Sequence, residues 1–382
     1  MQCLGCAAAI STGQDALARR ERSPDCIDDT RELALEAAET LECTPCLRKA
    51  KSNALITAPD KDWHPTSLGT LNNADPTLRA APLIVAVTGS SGLVGRALCG
   101  ALVHAGHRVI RLVRKTSSLE PDEVRWSTTK TFDANSLEGI DALVHLAGEN
   151  IAAGRWTAAR KRAIAASRID GTRRLCEAVA QLARPPRVIV SASGVGYYGD
   201  RALPIVDESA PAGEGFLASV CQEWEAALEP ASHRGIRTVS LRIGVVVSRN
   251  GGLVARLRVP FQLGLGGRVG RGTQGMSWIQ LEDLIEVIRF ALDHSELHGA
   301  VNAVAPNPVT QFEFARALAR ALHRPCAVPM PAWIVRVLCG EMGRELLLGG
   351  QWVVSSRLSA YGFRFSCERI EDALRLAVAD PR

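Results

Sequence analysis

The sequence predicts an α/β fold in which a doubly wound parallel sheet carries helices on both faces, and two observations support that prediction. Short apolar runs that are typical of buried strands alternate with helical patterns from residue 83 to residue 305. The first of these runs, at residues 83–87, leads directly through a glycine-rich turn into a helix. Strand and helix in regular alternation favour a layered α/β domain over an all-helical or all-strand one.

Length and composition limit what kind of protein this is. The 382 residues suffice for about two domains, and the hydrophobic content of 47% and charged content of 22% are ordinary for a globular chain. A net charge of +5 is too small for this length to indicate a nucleic-acid partner. No apolar stretch reaches the roughly 18 residues that a membrane-spanning helix needs, so we also expect no membrane partner.

Residues 1–80 are predicted to form a poorly ordered N-terminal extension, because small, polar and charged residues are mixed there without clear periodicity. Two cysteine pairs, Cys3 with Cys6 and Cys43 with Cys46, offer four possible zinc ligands. The pairs are far apart and lack framing glycine and aromatic residues, so we expect free thiols and no metal. The odd total of 11 cysteines and the absence of a signal-peptide pattern favour a reducing, cytoplasmic location.

The glycine-rich turn after the first strand has a recognisable spacing. Gly89, Gly92 and Gly95 follow the run at 83–87, and a helical pattern continues from Arg96. The first glycine permits a tight turn, the second lets a pyrophosphate approach the backbone, and the third lets helix and strand pack closely. The helix N-terminus offers free N–H groups to phosphate oxygens. This is the fingerprint of a Rossmann-type dinucleotide-binding fold, and Arg96 stands where a Walker A loop would continue with lysine.

The end of the second strand, at residues 108–114, indicates which dinucleotide is bound. In NAD-binding versions of this unit an acidic residue about 20 residues past the glycines binds the ribose 2′-hydroxyl. Here the strand ends in Arg114 and Lys115, and no acid stands at that position. Two cations suit a 2′-phosphate, so the sequence predicts NADP rather than NAD.

The run at 141–148 predicts another buried strand, whose carboxyl end should line the ligand crevice. We therefore expect Leu146 and Ala147 to lie near the cofactor. His145 lies between apolar neighbours and is expected to be a core residue rather than a catalytic one. Glu149 and Asn150 follow at the mouth of the crevice, where they could contact substrate.

The remaining pattern completes the domain organisation. It predicts helices at 157–182 and 215–228 and one opening after Trp278, and strands at 187–191, 237–247 and 299–305. Residues 81–305 thus form the nucleotide-binding domain, and residues 306–382 form a smaller, mostly helical module. Its apolar stretches at 312–322 and 333–338 should pack against the main domain. The glycine-rich segment at 261–272 and Trp278 are candidates for a lid over the substrate, although a buried structural tryptophan fits equally well.

At this point the chain resembles a known family. The cofactor loop at 88–95 resembles that of extended short-chain dehydrogenase/reductases. The segments at 145–150, 193–199, 260–267 and 277–283 resemble an atypical branch of that superfamily, the epimerase family proteins or 39U branch. The similarity covers residues 83–380 and includes the C-terminal module. It implies an NADP-binding fold, and by position it implies these cofactor contacts: Gly89, Ser91, Gly92, Leu93, Gly95, Arg114, Leu146, Ala147, Arg168 and Val246.

The catalytic pair that this superfamily uses is missing. Its reductases pair a tyrosine with a lysine four residues later, which lowers the pKa of the phenol for proton transfer. Tyr197, Tyr198 and Tyr361 are the only tyrosines, none has a lysine four residues later, and no lysine follows Lys161. Position within the family leaves Ser193 to hold a substrate oxygen and Tyr197, or its neighbour Tyr198, to donate a proton.

Two functions remain open from the sequence. The first is an NADP-dependent oxidoreductase or epimerase-like enzyme that acts on an unidentified small substrate. The second is a non-catalytic NADP-binding regulator, which the missing tyrosine–lysine pair favours. Relatives often form dimers through the two helices that correspond to 157–182 and 216–232, so a homodimer is also expected.

Overall fold

The computed structural model describes residues 81–114, 118–128, 133–201 and 204–379. The cysteine pairs of the N-terminal extension and the predicted phosphate contact Lys115 lie outside these residues. Seven strands form the main sheet in the order β10-β6-β5-β4-β1-β2-β3, and every neighbouring pair is parallel. The strands of this sheet are β1 (Ile84–Thr88), β2 (Arg108–Val113), β3 (Glu123–Arg125), β4 (Ala142–His145), β5 (Val188–Gly194), β6 (Arg237–Ile243) and β10 (Gly299–Ala303).

Helices cover both faces of this sheet and build the C-terminal part. They are α1 (Leu93–His104), α2 (Ala158–Ala180), α3 (Phe216–Ala226), α4 (Glu229–His233), α5 (Gly252–Gln262), α6 (Leu281–Asp293), α7 (Gln311–Ala321), α8 (Ala332–Gly343), α9 (Ser356–Ala360) and α10 (Ile370–Val378). Two further pairs of short strands lie outside the main sheet: β7 (Val245–Val247) with β9 (Trp278–Gln280), and β8 (Gly275–Met276) with β11 (Val309–Thr310). The predicted doubly wound sheet is therefore confirmed.

The alternation of side chains along each strand divides the core into two layers. On one face of the sheet, Val87 and Val144 pack in one cluster with α1 and α6. On the other face, Ala86 and Leu143 pack in a second cluster with α2 and α4. Because successive side chains of a strand point to opposite faces, both faces of a buried strand must be apolar. This is why the strands appear in the sequence as continuous apolar runs.

The strand predicted at 237–247 is broken in two at Gly244. A Cβ at this position would lie 2.8 Å from the Ser277 carbonyl oxygen, so only glycine fits between the two backbones. After Gly244 the chain leaves the main sheet, and Val246 pairs with Ile279 of β9. The break directs β7 away from the sheet and toward the N-terminus of α5.

One packing prediction for the C-terminal part is confirmed and the other is wrong. Phe314 and Leu318 of α7 are buried in a cluster with Trp278 and α10. In α8, by contrast, Trp333 is 65% exposed and Val337 is 62% exposed, and only Val335 of that apolar run is fully buried. The first half of α8 has apolar residues on all of its sides, whereas only one side of a helix can pack against the protein. The other apolar side chains are therefore exposed.

Candidate functional site

The glycine turn forms the cofactor end of the site. Gly89 has φ +68°, and a Cβ there would lie 2.8 Å from the backbone of Leu146. A Cβ at Gly95 would lie 2.2 Å from the Gly89 carbonyl oxygen, so the helix and the turn are in closest contact at that point. The roles predicted for these two glycines therefore match the geometry: one allows the turn and the other allows close packing.

The N-terminus of α1 has the features of an anion site. Gly92 is its N-cap, no side chain caps the helix, and its first turn contains no acidic residue. The first N–H groups of a helix have no partner within the helix, and the helix dipole adds positive potential there. Ser91 and Gly92 are exposed, whereas Leu93 is half-buried against Gly251 at the start of α5. Phosphate oxygens could therefore reach these N–H groups.

A buried network fixes the next turn of the crevice. The Thr88 hydroxyl accepts hydrogen bonds from the N–H groups of Leu146, at 3.0 Å, and Ala147, at 3.2 Å. With both of its lone pairs used, that hydroxyl must donate its proton to Nδ1 of His145, at 2.8 Å. His145 Nε2 therefore carries a proton and donates it to the Thr172 hydroxyl, at 2.9 Å. Thr88 and His145 therefore fix the backbone of Leu146 and Ala147, the two residues predicted to contact the cofactor.

His145 lies in the core, as predicted. It is fully buried, and burial, with a smaller contribution from the Arg168 charge, lowers its pKa from 6.5 to about 4. The imidazole is therefore neutral at pH 7, which is the form that the hydrogen bonds require. His145 orients the crevice wall and does not face the ligand.

Arginines border the crevice at two places. The Arg168 guanidinium donates to the carbonyl oxygen of Glu149, at 3.0 Å, and would lie 3.1 Å from a Cβ at Gly148. Burial lowers the pKa of Arg168, although it remains a strong base. Arg114 directly follows β2 with 70% of its side chain exposed, and its Nη1 lies 3.6 Å from Glu149 Oε1. An ion pair this exposed is weak, so the Arg114 guanidinium is available to a phosphate.

Val246 completes the predicted set of cofactor contacts. It is half-buried, and its carbonyl oxygen would lie 3.3 Å from a Cβ at Gly252, the residue that opens α5. The same glycine would contact Leu93 at 3.5 Å, so Val246 and Leu93 share one wall of the crevice. This contact depends on the break at Gly244, which sets β7 beside α5.

At the other end of the crevice, Ser193 belongs to a buried polar network. Its Oγ donates to Glu225 Oε1 at 2.7 Å. Both Glu225 oxygens also accept from Arg242, at 2.9 Å and 2.8 Å, in a bidentate pair. Arg242 further donates to the Tyr198 hydroxyl, at 2.9 Å, which in turn donates to Asn302 Oδ1, at 2.8 Å. Four elements, β5, α3, β6 and β10, thus meet in one chain of hydrogen bonds.

The two tyrosines have different environments. Tyr198 is fully buried, and burial raises the pKa of its phenol although Arg242 opposes that rise, so it stays protonated. Tyr197 is half-buried, and the Arg242 guanidinium lies 3.4 Å from its ring centre. The Tyr198 hydroxyl has both a donor and an acceptor partner within the protein, whereas Tyr197 is only half-buried.

Sequence reasoning missed Glu225 and Arg242. Burial lowers the pKa of the guanidinium, but hydrogen bonds and the charge of Glu225 outweigh this and raise it above its usual value. The signal was present, because Arg242 interrupts an apolar strand, and a charge at such a position requires a buried partner. Nothing in the sequence indicated that the partner would be Glu225.

Trp278, the glycine-rich segment at 261–272 and Asn150 were also candidates for contact with substrate, and each forms contacts within the protein. Trp278 is fully buried and its indole N–H donates to the Asn307 carbonyl oxygen, so its proposed role in a lid is wrong and the structural alternative is right. The glycine-rich segment pairs with residues 328–330, where the Val328 N–H donates to the Gly266 oxygen. Asn150 folds back through its Oδ1 onto the N–H of Ala152.

Comparison with known proteins agrees with this geometry. The family model described as "NAD dependent epimerase/dehydratase family" matches residues 85–304. The chain belongs to that family. A second model, a domain of unknown function termed DUF1731, matches residues 330–377.

Individual members of the family extend the similarity to more than three quarters of the chain. Epimerase family protein Mb2239 of Mycobacterium bovis is 43% identical over 302 residues, which is 79% of this chain and 99% of that protein. Human SDR39U1 is 35% identical over 298 residues, or 77% of this chain and 99% of that protein. A crystal structure of human SDR39U1 with NADPH superposes with a TM-score of 0.71 at 33% identity and covers 77% of this chain and 98% of its own. The predicted epimerase family, 39U branch, is therefore confirmed.

Proposed function

We propose that this protein binds NADP in the crevice between the first turn of α1 and β7. The residues fit that cofactor: the uncapped helix N-terminus suits its pyrophosphate, and the exposed Arg114 suits its 2′-phosphate. Leu146, Ala147, Arg168 and Val246 would border its ribose and nicotinamide. The NADPH-bound human relative supports this choice over NAD. When bound, NADP supplies a hydride acceptor or donor at its nicotinamide ring.

We further propose that Ser193 and Tyr197 receive a small hydroxyl- or carbonyl-bearing substrate. Ser193 donates its proton to Glu225, and the same carboxylate accepts two hydrogen bonds from Arg242. With its proton directed at Glu225, Ser193 Oγ can only accept, which favours a substrate hydroxyl that donates to it. Tyr197 provides a second polar contact beside the same arginine. The observation that carries this proposal is the Ser193–Glu225–Arg242 network, which fixes one acceptor at the mouth of β5.

A non-catalytic, NADP-binding regulator is the second candidate, and one observation favours it. The helix α3 holds a buried thiol, Cys221, whose pKa is raised to about 11, chiefly by burial and also by Glu225. The helix contains neither a tyrosine nor a lysine, so it lacks the pair with which the reductases transfer a proton. The cytoplasmic location and the homodimer remain predictions for either function.

Titration calorimetry with NADPH and NADH tests the shared part of both candidates. We expect NADPH to bind at least tenfold more tightly than NADH. Absence of NADPH binding would overturn both candidates, and tighter binding of NADH would overturn the choice of NADP.

Hydride transfer then separates the enzyme from the regulator. NADPH oxidation with a panel of small carbonyl compounds, and NADP reduction with the matching alcohols, is measured for wild type, Ser193→Ala and Ser219→Ala. Ser219 is an exposed serine of α3 and serves as the matched control. For an enzyme, Ser193→Ala should lose turnover about 100-fold with unchanged NADPH affinity. A regulator would show no turnover with any of the variants.

A further inference from the structure

The C-terminal half of the protein exposes apolar side chains that the crevice does not use. Leu263 is 70% exposed and Trp333 is 65% exposed, and the others range from 45% to 62%. We call this set the apolar surface; its members are Val259, Leu263, Leu265, Val328, Met330, Trp333, Val337 and Leu338. Large exposed apolar patches on soluble proteins mark interaction sites.

Backbone hydrogen bonds join the two segments that carry these residues. The Met330 N–H donates to the Arg268 carbonyl oxygen at 2.8 Å, and the Val328 N–H donates to the Gly266 oxygen at 3.0 Å. The end of α5, with Val259 and Leu263 one turn apart, therefore continues into a segment that pairs with residues 328–330. The helix α8, which carries Trp333, begins directly after that segment.

The same two segments are rich in arginine and contain no acid. Residues 249–281 contain five arginines, residues 314–340 contain four, and neither segment has an aspartate or glutamate. Seven of the nine are exposed and form no ion pair within the described part of the chain: Arg256, Arg268, Arg271, Arg316, Arg320, Arg324 and Arg336. Like charges four residues apart, as in α7, destabilise a helix. An arrangement that is costly in isolation suggests that an anionic partner compensates for it.

Three of these arginines line a groove next to the apolar surface. Arg316, Arg320 and Arg324, with Phe312 and Cys326, surround a space of about 260 Å³. The Arg316 guanidinium lies 5.8 Å from the Phe312 ring centre. Cys326 is two residues before Val328, so the groove and the apolar surface are adjacent along the chain.

We propose that this arginine-bordered apolar surface docks on an anionic lipid bilayer. Aliphatic side chains and a tryptophan can enter the boundary between headgroups and acyl chains, and arginines beside them bind lipid phosphates. The partner must be both apolar and anionic, because exposed arginines lie beside exposed apolar side chains here, as Arg336 does beside Val337.

A second copy of the chain fits this surface less well. A two-fold symmetric contact would bring the same patch of each copy together and would place the arginines of one against those of the other. The proposal does not rest on nucleotide binding. From the sequence we expect no membrane partner because no segment could span a bilayer. Binding at the bilayer surface, which we propose here, needs no spanning segment. None of the helices in the described residues could span a bilayer.

Vesicle co-sedimentation of the full chain tests the proposal. We expect binding to vesicles of phosphatidylcholine with 30% phosphatidylglycerol at low salt, none to pure phosphatidylcholine, and loss of binding at high salt. The double variant Arg316→Gln/Arg320→Gln should bind about 30-fold more weakly. Arg162→Gln/Arg173→Gln, which removes two exposed arginines of α2, should bind like wild type.

The apolar contribution has its own variants and controls. Trp333→Ser/Val337→Ser should weaken binding at least tenfold, whereas Val103→Ser/Leu376→Ser, which alters equally exposed residues elsewhere, should not. Circular dichroism checks that each variant is folded. Absence of binding to anionic vesicles, or equal loss in variants and controls, would overturn the proposal. Quenching of Trp333 fluorescence by a soluble quencher is also measured without vesicles. Protection of Trp333 by self-association, or by an added acidic polypeptide, would likewise overturn the proposal.

Discussion

The two ends of the crevice are formed by different kinds of chemical group. At the cofactor end the important groups are backbone N–H donors and glycines, and Gly89, Gly92 and Gly95 lie within seven residues of one another. At the substrate end the important groups are buried side chains, and the Ser193–Glu225–Arg242 network joins three elements that are distant in sequence. The first kind of site depends on local spacing, and the second depends on how the whole domain packs.

The comparison implies that damage to the network should unfold the protein, whereas damage to the cofactor end should mainly weaken binding. Glu225→Gln leaves the buried Arg242 without a counter-charge and should lower the free energy of unfolding by about 3–5 kcal/mol. Urea denaturation measures this. The control Glu223→Gln, at an exposed position of the same helix, should change stability by less than about 0.5 kcal/mol. Equally small changes in stability for both variants would show that the Ser193–Glu225–Arg242 network does not stabilise the fold.

The pH dependence of stability sharpens the comparison because His145 supports the cofactor end from the core. Its pKa is about 4 in the folded protein, against 6.5 for an ordinary exposed histidine, so below pH 6.5 the unfolded chain binds the extra proton. Stability is then full above pH 6.5 and decreases toward pH 4 by about 3 kcal/mol. Unfolding curves between pH 7.5 and 4.5 test this. His145→Gln should show a shallower slope, and an unchanged slope would contradict the assignment.

Alanine substitutions at two glycines of α1 distinguish the effect of close packing from the effect of helix propensity on stability. Gly95→Ala introduces a Cβ 2.2 Å from the Gly89 oxygen and should destabilise the protein by about 1–3 kcal/mol. Gly100→Ala, on the same helix with no atom within 4 Å of the new Cβ, should stabilise it by about 0.5–1 kcal/mol. Thermal unfolding compares the two. A shift in the same direction for both would contradict the packing role of Gly95.

The smallest effect concerns the exposed end of β2. Arg114→Ala should weaken NADPH binding about tenfold, because a charge-assisted contact to the 2′-phosphate is lost, and should leave NADH binding unchanged. Calorimetry with both cofactors gives the ratio. Arg173→Ala, an exposed arginine of α2, is the matched control and should alter neither affinity. Equal losses for NADPH and NADH would indicate that Arg114 does not read the 2′-phosphate.

The sequence by itself determined the order of strands and helices, the glycine turn and the family, because these depend on short-range patterns. Three features follow from packing in the folded protein instead: the strand at 237–247 splits at Gly244, Trp333 faces outward, and Arg242 pairs with Glu225. Periodicity shows that a helix has an apolar side but not which neighbour covers it, and a buried charge shows that a partner exists but not which residue provides it. Those choices are made by contacts between elements that are far apart along the chain.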